Sequence, residues 1–337
     1  MPPLCIGAAM KRREFIKLFG SAVAAWPLDA RAQQKAMPVV GFIHSQSPDP
    51  TTADRVREFR QGLKETGYID GENVVIEIRW AEGQFDRLPA LVAELVSRKV
   101  SVIAATGGPE SALAAKRVGS DIPIVFVTGA DPVALGLVAS LSRPGGNITG
   151  VTPFTRQLGP KQLGLLQAIV PKASVIAVLV NRNQVDSETG LKAIQEAGRT
   201  AGLRIVPIDI GSEYDLEKAF ATLTNEHADG LLAGGGAFFT ANRVQLAVLA
   251  ARYAVPAIYS SREVPIAGGL MSYASRLTDM YHQAGVYAGR ILKGEKAADL
   301  PVLQPTKFEL VINLKTAKAL GLTIPSGVLS IADEVID

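Results

Sequence analysis

The sequence predicts an α/β protein built as two doubly wound parallel-sheet lobes joined by a hinge of about three crossovers. Three observations carry that expectation. Short apolar runs alternate with Gly/Ser/Pro loops and helical segments, the rhythm of repeated βα units. The rhythm breaks at the turn cluster Ser142-Arg143-Pro144-Gly145-Gly146-Asn147 and then starts again. At 337 residues the chain also exceeds what one core usually holds.

Pro38-Val39-Val40-Gly41-Phe42-Ile43 reads as a buried strand. Over 54–66, Val56, Phe59 and Leu63 recur at helical spacing, and Gly67 supplies the stop. Residues 73–80 alternate apolar and polar side chains, as a half-buried strand does. A helix over 88–98, a strand over 100–105, a helix over 110–118, a strand over 122–127 and a helix over 132–140 complete the first half. In the second half, helices over 161–169, 188–201, 214–224 and 241–253 alternate with strands over 175–180, 204–208, 230–233 and 257–259. The halves join near 147–152, and residues 268–273 read as a second connection. A helix over 280–292 returns to the first lobe, 301–313 cross a third time, and a helix over 314–320 ends the pattern. Lobe 1 is thus expected over 38–149 and about 275–302, and lobe 2 over 150–274 and about 303–337.

The start of the chain is an address rather than part of the fold. Lys11-Arg12-Arg13-Glu14-Phe15-Ile16-Lys17 is followed by an uncharged run from Leu18 to Leu28 and then Ala30-Arg31-Ala32. A basic patch, a short apolar segment and a small-x-small site make an export signal, here over 1–32 with cleavage near Ala32. The paired arginines fit its twin-arginine version. The apolar run is well short of the roughly 20 residues that span a bilayer core. Met10 stands directly before Lys11, so the true start is expected nearer Met10 than Met1, with 1–9 untranslated. The expected location is periplasmic.

Charge and cysteine content narrow the function. The chain carries 35 basic and 32 acidic residues; five basic and two acidic ones precede Gln33, leaving 30 of each. A near-neutral body without a dense basic run does not suit a nucleic-acid partner. Cys5, the single cysteine, lies in the doubtful stretch before Met10, so no disulfide, thiol nucleophile or lipid-anchoring cysteine is expected afterwards. His44, His227 and His282 are too widely spaced to suggest a metal site. Neither a nucleophile elbow nor a phosphate-binding loop motif occurs. The expectation is a protein that is not an enzyme, with no catalytic residues, metal or cofactor.

In open α/β sheets a ligand lies beyond the carboxyl ends of the strands. The strand-end loops therefore supply the candidates. Thr106-Gly107-Gly108-Pro109-Glu110-Ser111 opens a helix whose free N–H groups favour an anion, with the Thr106 and Ser111 hydroxyls as further donors. A plain βα turn with an N-cap explains the same residues. Asp131 before Pro132 is either a helix cap or an acceptor for a ligand ammonium. Glu263, beside Arg262, either pairs with an ammonium or forms a solvated surface pair. Phe238, Phe239, Tyr259 and Tyr273 form either an aromatic cleft wall or ordinary core.

Several stretches resemble one family. They are Gly41-Phe42-Ile43, Phe59-Arg60-Gln61-Gly62-Leu63, Gly67-Tyr68, Gly71-Glu72-Asn73 and Asp131-Pro132-Val133, with 137–150 and 308–322 the most specific. They resemble the ABC-importer substrate-binding proteins often called tryptophan- or aromatic-amino-acid-binding-like. The resemblance implies the type I periplasmic binding protein fold. It also implies capture of a small solute between lobes that close by hinge motion, and hand-over to a membrane permease driven by an ATPase. It places a ligand carboxylate on Ser45, Thr106, Gly107, Gly108 and Thr128, and a side chain against Asn181, Phe238 and Glu263. With Ser111, Asp131, Gly235, Tyr259 and Tyr273, these are the expected ligand-binding residues. The ligand expected is an aromatic or branched amino acid or an aromatic acid. The expected partners are the permease and ATPase subunits at the inner membrane, and the chain is expected to be a monomer. A receptor of the same fold feeding a membrane kinase or chemoreceptor is the alternative.

Overall fold

The computed structural model describes residues 37–153, 158–184, 187–305 and 307–337. The export signal expected over 1–32 lies outside them. From Pro38 onward the chain forms one compact unit with two sheets.

The first sheet is entirely parallel, in the order β2-β1-β3-β4-β5. Its strands are β1 (Val39–His44), β2 (Val75–Trp80), β3 (Val102–Thr106), β4 (Ile124–Val127) and β5 (Ile148–Val151). Between them run α1 (Pro50–Glu65), α2 (Leu88–Ser97) and α3 (Pro109–Arg117). Alternate residues of β1 feed opposite cores, as strand geometry requires. Val40 and Phe42 pack with α1, whereas Ile43 joins the layer under α2 and α3.

Residues 132–140, expected as a helix, make one turn only. Asp131 Oδ1 accepts from the Val133 and Ala134 N–H groups, so the start signal is real. Gly136, at φ +65°, then takes a left-handed backbone, and Leu137 N–H closes onto Pro132 O at 2.8 Å. That is a helix-ending glycine motif one turn after the start.

The second sheet runs β12-β11-β10-β9-β8-β6-β7. It contains β6 (Val175–Asn181), β7 (Arg204–Ile210), β8 (Gly230–Ala233), β9 (Ala257–Tyr259), β10 (Met271–Ser275), β11 (Phe308–Asn313) and β12 (Glu334–Ile336). One face is covered by α4 (Leu158–Ile169) and α5 (Ser187–Thr200). The other is covered by α6 (Asp215–Asn225), α7 (Ala237–Ala241), α8 (Arg243–Arg252) and α9 (Glu263–Ile266). The helix expected over 241–253 is α8, and the short α7 before it was not expected. The sheet is parallel except that β10 and β11 are antiparallel. The chain leaves along β10, builds α10 (Leu277–Leu292) on the other lobe, and re-enters as β11. A segment that leaves and returns at one sheet edge arrives in the opposite direction. After it come α11 (Leu314–Ala319) and α12 (Ser326–Leu329).

The helix α10 packs on α1 and behind β3, β4 and β5. Contact is close because glycines face each backbone. A Cβ on Gly62 would overlap the His282 carbonyl, and one on Gly285 the Phe59 carbonyl. Gly285→Ala is therefore expected to destabilise by about 1–3 kcal/mol through overpacking. A helix Gly→Ala change without such contact gains about 0.5–1 kcal/mol. Thermal unfolding decides the sign; a raised melting temperature would show that the helices do not pack this closely.

Candidate ligand-binding site

A cavity of about 250 Å³ lies where the carboxyl ends of both sheets face each other. On the lobe 1 side its wall includes Arg55, Phe85, Gly107, Gly108, Thr128 and Tyr281. On the lobe 2 side it includes Gln162, Asn181, Gly235, Phe238, Thr240 and Ser260. Two ion pairs bridge the lobes beside it. Arg55 Nη2 lies 3.2 Å from Glu263 Oε1, and Arg243 Nη1 lies 3.0 Å from Asp49 Oδ2. The lobes are therefore in contact, as in a closed clamp.

Six expected residues reach the wall: Gly107, Gly108, Thr128, Asn181, Gly235 and Phe238. The others are not among its lining residues. Ser45 is fully buried, and its hydroxyl donates to Gly107 O at 2.6 Å. The Thr106 hydroxyl donates to Ile43 O at 2.9 Å. Ser111 is buried in the first turn of α3. Asp131 caps its own turn. Tyr259 is fully buried in the second lobe's core, which pushes its hydroxyl pKa up. Tyr273 stacks on Phe308, with ring centroids 5.7 Å apart.

Gly107 is glycine for a reason that faces inward. Its φ is +84°, and a Cβ there would lie 2.7 Å from Ser45 Oγ and 2.8 Å from Ser45 N. That constraint comes from packing on the end of β1, and Gly107 also lines the cavity. Gly108, at φ +131°, turns the chain into α3, and Gly108, Pro109 and Glu110 line the cavity there.

Arg55 and Tyr281 were not singled out by sequence. Arg55 shares the buried face of α1 with Thr52, Phe59 and Leu63, at helical spacing. A charged residue in line with an apolar stripe is the signal that could have found it. Its guanidinium sits 5.9 Å from the Tyr281 ring centroid. Tyr281, on α10, joins the wall only through tertiary packing. Its hydroxyl meets His44 Nε2 at 3.1 Å, while Gln46 N–H donates to His44 Nδ1 at 3.0 Å. His44 Nδ1 is thus the acceptor, so Nε2 carries the proton and donates to Tyr281.

Electrostatics follow from burial. Burial, with Arg55 nearby, pushes the His44 pKa down to about 3 against a weaker opposing pull from Asp49. Burial pushes the Glu263 carboxyl up, but Arg55 and the Ser261 hydroxyl together outweigh it and hold the group below the usual carboxylate range. Glu263 therefore faces a protein cation, and the charge this pair presents at the cavity wall is Arg55's.

The model of a family described as "ABC transporter substrate binding protein" matches residues 43–336. The chain belongs to that family. The ABC substrate-binding chain is 28% identical over 279 residues to a tyrosine-binding protein from Clostridioides difficile (strain R20291), covering 82% of this chain and 80% of that one. A Streptococcus pneumonia ABC domain in complex with L-Trp superposes with a TM-score of 0.81 at 25% identity, covering 89% of this chain and 99% of that one. The ligand-free, open structure of a Clostridium difficile substrate-binding protein with adhesive properties gives a TM-score of 0.67 at 26% identity, again covering 89% and 99%. At nearly the same identity, 25% and 26%, the fit is better to the ligand-bound chain than to the open one, which agrees with the bridged lobes. The fold is that of type I periplasmic binding proteins, and the family binds solutes rather than transforming them.

Proposed function

We propose that this substrate-binding protein captures a small carboxylate-bearing solute between its lobes and delivers it to an ABC importer. An aromatic or branched amino acid, or an aromatic acid, is the solute. The observation that carries this reading is a cavity pairing the Arg55 guanidinium with apolar surface at Phe85 and Phe238. An anion is favoured beside a guanidinium, and apolar surface suits the remainder of such a ligand. The relatives named for tyrosine and complexed with L-Trp support the aromatic class. The twin arginines Arg12-Arg13 support export to the periplasm, where permease and ATPase subunits at the inner membrane would receive the loaded protein.

A thermal-shift screen of amino acids and aromatic acids tests the reading. A ligand present at ten times its Kd stabilises the native state by about 1.4 kcal/mol, enough for a shift of a few degrees. L-Tyr, L-Trp, L-Leu and aryl carboxylates are expected among the ligands that shift. A screen in which no carboxylate moves the melting temperature would overturn it.

A further inference from the structure

Gln162 stands on the cavity wall with its two ends in different surroundings. It lies in the second turn of α4 and is 2% exposed. Strands β9 and β10 pair only at Ile258–Met271 and Tyr259–Ser272, so the Tyr273 carbonyl lies past the end of that ladder. A buried carbonyl there needs a donor. Gln162 Nε2 supplies it, donating to Tyr273 O at 2.7 Å and to Ser260 Oγ at 2.9 Å, with Tyr259 O at 3.5 Å.

These partners fix the amide's orientation. A carbonyl oxygen can only accept, so the nitrogen end must face the sheet. The oxygen end is thereby turned away from it. Gln162 Oε1 accepts from no described residue, yet it is not sealed off from the cavity. Other acceptors expected to meet a ligand donor are already engaged. Glu263 pairs with Arg55 and accepts from the Ser261 hydroxyl, and Asp131 caps its own turn. An acceptor that is mostly buried, oriented and unpartnered is costly unless a bound molecule satisfies it.

We propose that Gln162 makes binding depend on a hydrogen-bond donor carried by the solute. An N–H or O–H of the ligand, from an ammonium or a ring hydroxyl, donates to Oε1. A solute without such a group covers the oxygen with apolar atoms and leaves it dry. This rests on the capture reading above and narrows it to amino acids and hydroxyaryl acids over bare aryl acids.

Calorimetric titration with 3-phenylpropionate, L-phenylalanine and 3-(4-hydroxyphenyl)propionate tests the proposal. The second ligand adds an ammonium to the first, and the third adds a ring hydroxyl. At least one of them is expected to bind wild type about ten- to a hundredfold tighter than 3-phenylpropionate. Which one does so tells whether the ammonium or the hydroxyl reaches Oε1. In Gln162→Met, similar in length but without the amide oxygen, most of that advantage is lost while 3-phenylpropionate binds as before. Gln162→Glu keeps an oxygen toward the cavity and keeps the advantage, which preserves the test should the methionine variant fold poorly. Equal affinities for all three in wild type overturn the role of Gln162 and leave solute capture standing. So does a Gln162→Met that weakens all three alike or retains the full advantage. A wild type that binds none of the three, nor any amino acid, overturns both.

Discussion

Arg55→Met should separate the lobes as well as weaken ligand binding. Arg55 has a side chain only 5% exposed, and its partner Glu263 is 18% exposed. Removing one member of a buried ion pair and leaving the other uncompensated typically costs about 3–5 kcal/mol. Here the protein has an escape that a core would not. Glu263 regains water if the lobes part, so the cost shows first as loss of the closed state rather than as unfolding. Small-angle scattering of Arg55→Met is therefore expected to give a larger radius of gyration than wild type under ligand-saturating conditions, with a melting temperature only modestly lower. The double variant Arg55→Met/Glu263→Gln removes the stranded charge and should recover part of the loss, with a coupling of about 1–3 kcal/mol in the cycle. Strictly additive effects would show that the pair does not hold the lobes together.

Acidification should destabilise the protein well before its carboxylates titrate. His44 is fully buried among Phe42, Trp80 and Tyr281, and its pKa is lowered to about 3 from an ordinary 6.5. The unfolded chain binds a proton there below 6.5 and the folded chain does not. Stability from this group is thus fully present above 6.5 and is lost as pH falls from 6.5 toward 3. At pH 5 the loss amounts to about 2 kcal/mol. Asp49 and Glu263, held below the ordinary carboxylate range, add their losses only at lower pH. Melting temperatures between pH 7.5 and 5 should fall for wild type and fall less for His44→Gln. Parallel profiles would show that His44 is not the titrating group.

Most of the architecture was legible because alternation of apolar runs with glycine- and proline-rich loops is a local property. The exceptions have local or topological causes. Over 132–140 the start signal Asp131-Pro132 is genuine, but Gly136 ends the helix within a turn. The antiparallel entry of β11 depends on where the chain has been, not on its own residues. The site divides in the same way. Loops at strand ends could be placed from topology, so Gly107, Thr128 and Phe238 were within reach. Ser45 and Thr106 were also found at strand ends, yet their hydroxyls are spent holding backbone carbonyls. Arg55 and Tyr281 come from α1 and α10, which are far apart in sequence and meet only when the chain returns to lobe 1.

The connections between the lobes have a mechanical consequence. Two of them are joined to each other: Leu303 N–H donates to Gly150 O and Thr152 N–H to Leu303 O, each at 2.9 Å. These two crossings run in the same direction, from lobe 1 into lobe 2, and form a short parallel ladder rather than independent tethers. A pair of laced straps folds readily about the line that it defines but resists torsion and sideways slip. With the passage from β10 to α10 as a third attachment, opening is confined to nearly one rotational freedom. The halves of the site then return to the same registration at each cycle. The linkage is also redundant: a protease that severs any one strap leaves the two bodies still tied together.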